Sequence, residues 1–178
     1  MSQLHHGMPP TPEARAALDQ AAASLAALER VARSESIDWE LDYDQGPELL
    51  LPELSTMRHG TRLLDARFLT ALVDGHGDRA AADLNTAISM SEHIAQQELL
   101  ISSLVAIANA SQFDNSVSLA IDMALIDAAL AEALLPTYER MGQGDWIRMK
   151  PALRRERDCM IRWLDRKLQE DPQAVTDL

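Results

Sequence analysis

The chain has 178 residues, 47% of them hydrophobic but only 4% aromatic, and a formal charge of −12. That length can bury a sizeable core, while the charge argues against general nucleic-acid binding and against adhesion to an anionic membrane, both of which recruit Lys and Arg. A single cysteine, Cys159, excludes an internal disulfide and a multi-thiolate metal site.

Ala and Leu dominate, and β-branched residues never form an alternating run. The chain is therefore expected to be all-α, with five or six helices and no sheet. One helical domain over residues 11–170 is expected between a disordered lead-in, 1–10, and a tail, 171–178. His5 and His6 fall in the lead-in and read as tail residues rather than ligands. The start, MSQLHHGMPPTPEARA, lacks the basic and apolar regions of a secretory signal. A cytoplasmic protein is expected, unless a leader or anchor has been removed.

Thr11-Pro12-Glu13 carries a hydroxyl N-cap, Pro at the first helical position and an acid in the first turn. A helix is expected from there to about Ser34, with Ala17, Leu18, Ala21, Leu25, Leu28 and Ala32 on its apolar stripe. Ser36 to Pro52 then breaks the pattern with Asp38, Glu40, Asp42, Asp44 and Glu48. Ile37, Trp39, Leu41 and Tyr43 alternate, but no partner strand exists elsewhere, so an extended loop with one face on the helices is expected.

Pro52-Glu53 opens a helix to about Asp74, and Gly75-His76-Gly77-Asp78 ends it and starts the next, with Asp78 as N-cap. That second helix runs to about Ala95. Its stripe is Ala80, Leu84, Ala87, Ile88, Ser91, Ile94 and Ala95, and Asp83, Asn85, Glu92 and His93 lie on its polar face. The two helices make an αα-hairpin with a tight loop. Glu98 to Phe113 is apolar nearly all round, which predicts a buried central helix with Leu104 and Val105 on its crowded side. It is too short and too interrupted by Ser to span a bilayer.

A break is expected at Asp114-Asn115-Ser116. Between Val117 and Leu135, Asp122, Asp127 and Glu132 point three ways, so this is either two short helices or one helix with an acid at a polar junction. Pro136 stops or kinks what precedes it. Asp145 is expected to cap a final helix to about Glu170, kinked near Pro151. Its apolar face collects Trp146, Met149, Leu153, Met160, Trp163, Leu164 and Leu168, with Arg157 among them.

The stretch LLDARFLTALVDGHGDRAAADLNTAISMSEHI resembles a tetratricopeptide-type unit in its Ala-rich packing, the Gly77-Asp78 turn and the small Ala82. Thr70 and Val73 stand where Gly and Tyr are usual in that family, no Pro follows Ile94, and no second copy recurs at a fixed period. Ile37 to Asn109 is similar to a group of uncharacterised bacterial Ala/Leu-rich helical proteins. The shared plan is Asp42-Tyr43, Leu51-Pro52, Gly77-Asp78 and the helix from Leu100 to Ala108. The resemblance implies stacked antiparallel helix hairpins and carries over no activity and no catalytic residue.

Asp42-x-Asp44-x-Gly46 with Glu53 looks like a fragment of a calcium loop, but the Gly stands one position early and Pro47 follows it. A solvated acidic loop is the simpler reading. His59, His76 and His93 share no ligand spacing, and Cys159 beside Asp158 reads as structural. No catalytic residue, metal or cofactor is expected.

Charge is distributed unevenly. No Lys or Arg occurs from Ala80 through Glu139, whereas Arg140, Arg148, Lys150, Arg154, Arg155, Arg157, Arg162, Arg166 and Lys167 crowd the last quarter. The readings are a solvated basic helix, a helix docked on acidic surface of this chain or a partner, or a nucleic-acid contact. The expected interaction surface is Trp39, Asp42, Tyr43, Asp44, Arg154, Arg157 and Trp163. The expected function is a non-catalytic scaffold or adaptor that binds another protein or its own copy. The alternative is a helical enzyme or small-ligand binder with a site between helices.

Overall fold

The computed structural model describes residues 10–170. The expected lead-in through residue 9, with His5 and His6, and the expected tail 171–178 lie outside the described residues. Those described form seven α-helices and one 3-10 turn, with no strand. The helices are α1 (Pro12–Gln20), α2 (Ala22–Ala32), α3 (Pro52–Val73), α4 (Gly77–Ala95), α5 (Leu100–Asp122), α6 (Ala128–Met141) and α7 (Met149–Glu170); the 3-10 turn is Tyr43–Glu48.

Local signals place most boundaries. Thr11 accepts the Ala14 N–H at 3.3 Å, so the first cap forms as expected. The single first helix is instead two, bent at Ala21, although Ala21 still donates to Ala17 and accepts from Leu25. The hairpin turn closes by two bonds, Gly75 N–H to Leu72 and His76 N–H to Ala71. That pairing needs a left-handed residue at its centre, and Gly75 supplies it with φ +74. Gly77, by contrast, is the first helical residue of α4, and His76 rather than Asp78 is its N-cap. Asp78 sits inside the first turn, where its charge still complements the helix dipole.

Helix α4, not α5, is the most enclosed element: α2, α3, α5 and α6 all pack on it. This buries Asp83 and His93, which were expected on a polar face. Helix α5 crosses α3 and α4 and is flanked by α7. Phe68 of α3 meets Phe113 of α5 edge-on with centroids 5.7 Å apart. Such a pair contributes about 1 kcal/mol beyond the area it buries.

The expected break at Asp114-Asn115-Ser116 is absent. Helix α5 runs through Asp114-Asn115-Ser116 and stops only at Met123, because Ser116 and Val117 are buried on its inner side. The chain reopens at Asp127, which accepts the Leu130 N–H at 2.8 Å, so the region is two helices with that acid as a cap. Pro136 lies inside α6 without ending it. Helix α7 begins at Met149 rather than beside Asp145, whose carboxylate reaches forward to the Met149 and Lys150 N–H groups. Pro151 therefore falls in the first turn, where a missing N–H costs nothing.

Candidate interaction surface

The acidic loop is an extended strap that turns its odd-numbered side chains inward, as the alternation predicts. Trp39 donates its indole N–H to the His93 carbonyl, and the Tyr43 hydroxyl donates to the Gln97 carbonyl at 2.8 Å. Both acceptors lie at the end of α4, where the chain turns toward α5. The strap then runs onto α7. Arg162 pairs with Asp44 at 3.0 Å, Arg166 donates to the Asp44 carbonyl, and Lys167 approaches Glu48. Gly46 is required at the crossing: its φ is +58, and a Cβ there would lie 2.6 Å from the Trp163 ring.

Glu98 ties this junction together. It sits in the α4–α5 turn with φ +54 and is gripped by Arg148 and by Arg155, whose guanidinium also stacks over Tyr43. Burial raises the Glu98 carboxyl pKa, but hydrogen bonds from Arg155 and Arg148 more than reverse this and hold it below the ordinary range. Helix α7 is fixed against α5 by Ser103, which donates to the Ile147 carbonyl, and by Glu156, which accepts the Leu100 N–H.

A second charged cluster holds the other end of the molecule. Arg67 of α3 grips Asp83 of α4 with both Nε and Nη2, and the same Nη2 reaches Glu29 of α2. Arg79 also pairs with Glu29, and Arg15 pairs with Asp74. Asp83 has a side-chain exposure of only 1%. Burial pushes its carboxyl pKa up, against the pull of Arg67. Arg15, Leu18, Ala22, Glu29, Arg67 and Arg79 line an open groove of about 370 Å³.

The outer face of α5 presents the opposite character. Ser102, Ser103, Ala106, Asn109 and Ala110 are buried, whereas Ile101 is 50% exposed and Leu104 48%. The expectation that Leu104 sits on the crowded side is reversed, because α4 approaches closely only where α5 is small. Helix α7 repeats this arrangement. Ala152, Cys159 and Trp163 face inward, while Leu153, Ile161 and Leu168 face solvent.

Of the expected surface residues, Trp39, Tyr43, Asp44 and Trp163 meet one another's elements, within this chain. Asp42 stays at the strap, where it accepts the Asp44 N–H and the Gln45 amide. Arg157 is exposed and pairs only with its neighbour Asp158, so it does not dock the basic helix; Arg162, Arg166 and Lys167 do. Arg154 is exposed and makes no ion pair among the described residues. The residues that the sequence did not single out are Glu98, Arg67 and Asp83. A turn after Gln97 that lacks glycine is the only local signal for Glu98, and none marks Arg67 or Asp83.

The carboxylates of the calcium-like fragment are turned to backbone, amide and guanidinium partners. No three His, Cys, Asp or Glu among the described residues gather to hold a metal ion. No helix among them is long and apolar enough to cross a membrane. Cys159 is buried, which raises its thiol pKa. No family model matches this chain, and neither a curated protein nor a solved structure matches it.

Proposed function

We propose that this protein is a non-catalytic scaffold or adaptor, a short stack of tetratricopeptide-like helix hairpins that binds another protein. The observation that carries this reading is the outer face of α5. Ile101, Leu104 and Ala108 recur there at three- and four-residue steps, all exposed, on a helix with no charged residue from Leu99 through Phe113. Scattered surface leucines need no explanation, but a charge-free apolar stripe on a chain that is 25% charged marks a contact face.

The charged clusters around Arg67 and Glu98 are, in contrast, occupied by ion pairs within the chain. One observation favours the second reading, a small-ligand binder or enzyme. The groove beside α1 and α2 is lined by Arg15, Glu29, Arg67 and Arg79, and Arg67 also grips the buried Asp83, whose carboxyl pKa is raised. Asp83 is enclosed by Arg67, however, and the groove is open rather than closed.

The test is affinity capture from the native source with wild type and Ile101→Ser/Leu104→Ser as baits. The adaptor reading predicts a stoichiometric partner that wild type retains and the double variant loses. Equal recovery by both baits contradicts it, and loss on Arg79→Ala instead would favour the groove.

A further inference from the structure

Helix α5 lies exposed between two walls whose positions are fixed. On one side Leu54 of α3 packs with Val105, and Gln112 of α5 donates to Asp65 of α3 at 2.8 Å. On the other, Ser103 bonds to Ile147, just before α7, and the Leu100 N–H to Glu156 of α7, which hold α7 beside α5. At 3.6 residues per turn, Arg58 and Arg62 lie roughly 20–80° round α3 from the Leu54–Asp65 line. Both are exposed, on the side of α3 whose Leu54 and Asp65 meet α5. Leu153 and Arg157 occupy the corresponding flank of α7, one turn apart, and both are exposed.

Most other arginines are tied to another element, though Arg30 and Arg154 also make no ion pair among the described residues. Arg15, Arg67, Arg79, Arg140, Arg148, Arg155 and Arg162 each meet a carboxylate of another element. Arg58 and Arg62 form no ion pair among the described residues, and Arg157 meets only the adjoining Asp158. A chain of net charge −12 thus leaves Arg58 and Arg62 without an ion pair on one side of the uncharged face of α5, with Arg157, tied only to its neighbour Asp158, on the other.

Resting on the adaptor reading, we propose that this groove takes an amphipathic helix of another protein, whose apolar stripe is flanked by Asp and Glu. A helix laid on α5 places apolar residues at three- and four-residue steps against Ile101, Leu104, Ala108 and Leu153. Its flanking carboxylates then reach Arg58 and Arg62 on one wall and Arg157 on the other. A second copy of this chain fits worse. A two-fold contact of groove on groove brings like-charged arginines together. An anionic membrane is disfavoured by the overall charge.

The test uses the full chain and a fluorescent Ala-based peptide of about 18 residues, long enough to be helical. It carries a Leu stripe flanked by Glu, and control peptides replace Glu by Gln or Lys. Fluorescence anisotropy should show the Glu peptide bound, more tightly at low salt, and the Lys peptide unbound. Arg58→Glu/Arg62→Glu should weaken the Glu peptide by roughly tenfold or more. Arg33→Glu, just past α2 and on neither side of the α5 stripe, should leave it unchanged, and circular dichroism should show both variants fully helical.

Equal binding of the Glu and Gln peptides, lost in Ile101→Ser/Leu104→Ser, would overturn the acidic partner while leaving the contact face intact. Failure of every peptide would overturn the helix-in-groove proposal without touching the capture result above. Binding to phosphatidylglycerol vesicles in place of peptide would overturn it in favour of a membrane. Self-association that the double variant abolishes would overturn it in favour of a second copy.

Discussion

Arginines do two different things in this molecule. Around Arg67 they are drawn inward: one guanidinium holds a buried Asp83 and shares Glu29 with Arg79, and three helices are pinned by the result. On the side of α3 that meets α5, Arg58 and Arg62 make no ion pair among the described residues, and the outer face of α5 exposes Ile101 and Leu104. The first region is costly to disturb, because a buried charge stripped of its partner cannot be solvated. The second is exposed, so substitutions there are expected to cost little in folding.

The largest expected effect falls on the inner region. Arg67→Ala should cost about 3–5 kcal/mol in urea unfolding, since Asp83 is left buried without a counter-charge. Arg58→Ala and Arg62→Ala should each stay within about 0.5 kcal/mol of wild type. Equal losses at Arg67 and Arg58 would erase the distinction between the two regions.

Much of the inner architecture was legible because it is local. Thr11-Pro12 starts a helix wherever it stands in open chain, Gly75 closes a turn that needs positive φ, and the parity of Ile37, Trp39, Leu41 and Tyr43 fixes one inward side. The faces of α5 and α7 were not legible from hydropathy. On both helices the large aliphatics were assigned inward, yet Ile101, Leu104, Leu153 and Leu168 face solvent while Ala106, Ala110 and Ala152 are enclosed. Helices that approach closely select for small volume, which apolar periodicity does not register. The burial of Asp83 depends on Arg67, on the facing helix, and no local pattern announces such a pair. The face expected to hold Arg157 splits: Trp163 turns inward, while Arg157, Leu153 and Leu168 stay exposed.

A smaller effect is expected where the strap crosses α7. Gly46→Ala forces a Cβ against Trp163 and a non-glycine residue into positive φ, which should cost about 1–3 kcal/mol. Tryptophan fluorescence should report the displacement of the strap. Unchanged stability and an unchanged spectrum would mean that the strap does not close on Trp163.

Smaller again is the acid response of Glu98, an exposed-edge counterpart to Asp83. Its folded pKa lies below the unfolded value, so its contribution is present above the unfolded pKa, about 4.3, and is lost as pH falls through the folded one. Asp83, with a raised pKa, works in the opposite direction: its ionisation weakens the fold as pH rises through its folded pKa. Urea midpoints measured from neutral pH down into that range should fall less steeply in Glu98→Gln than in wild type. Parallel curves would show that Arg148 and Arg155 do not stabilise its charge.

The smallest effect on folding is expected where the account is most exposed, at the outer face of α5. Urea unfolding of Ile101→Ser/Leu104→Ser beside wild type tests directly whether that face is surplus to the fold. The double variant should unfold within about 0.5 kcal/mol of wild type with the same slope, as exposed substitutions do. A loss of about 2 kcal/mol or more per site, the signature of core truncation, would return both side chains to the core and leave no surface for a partner.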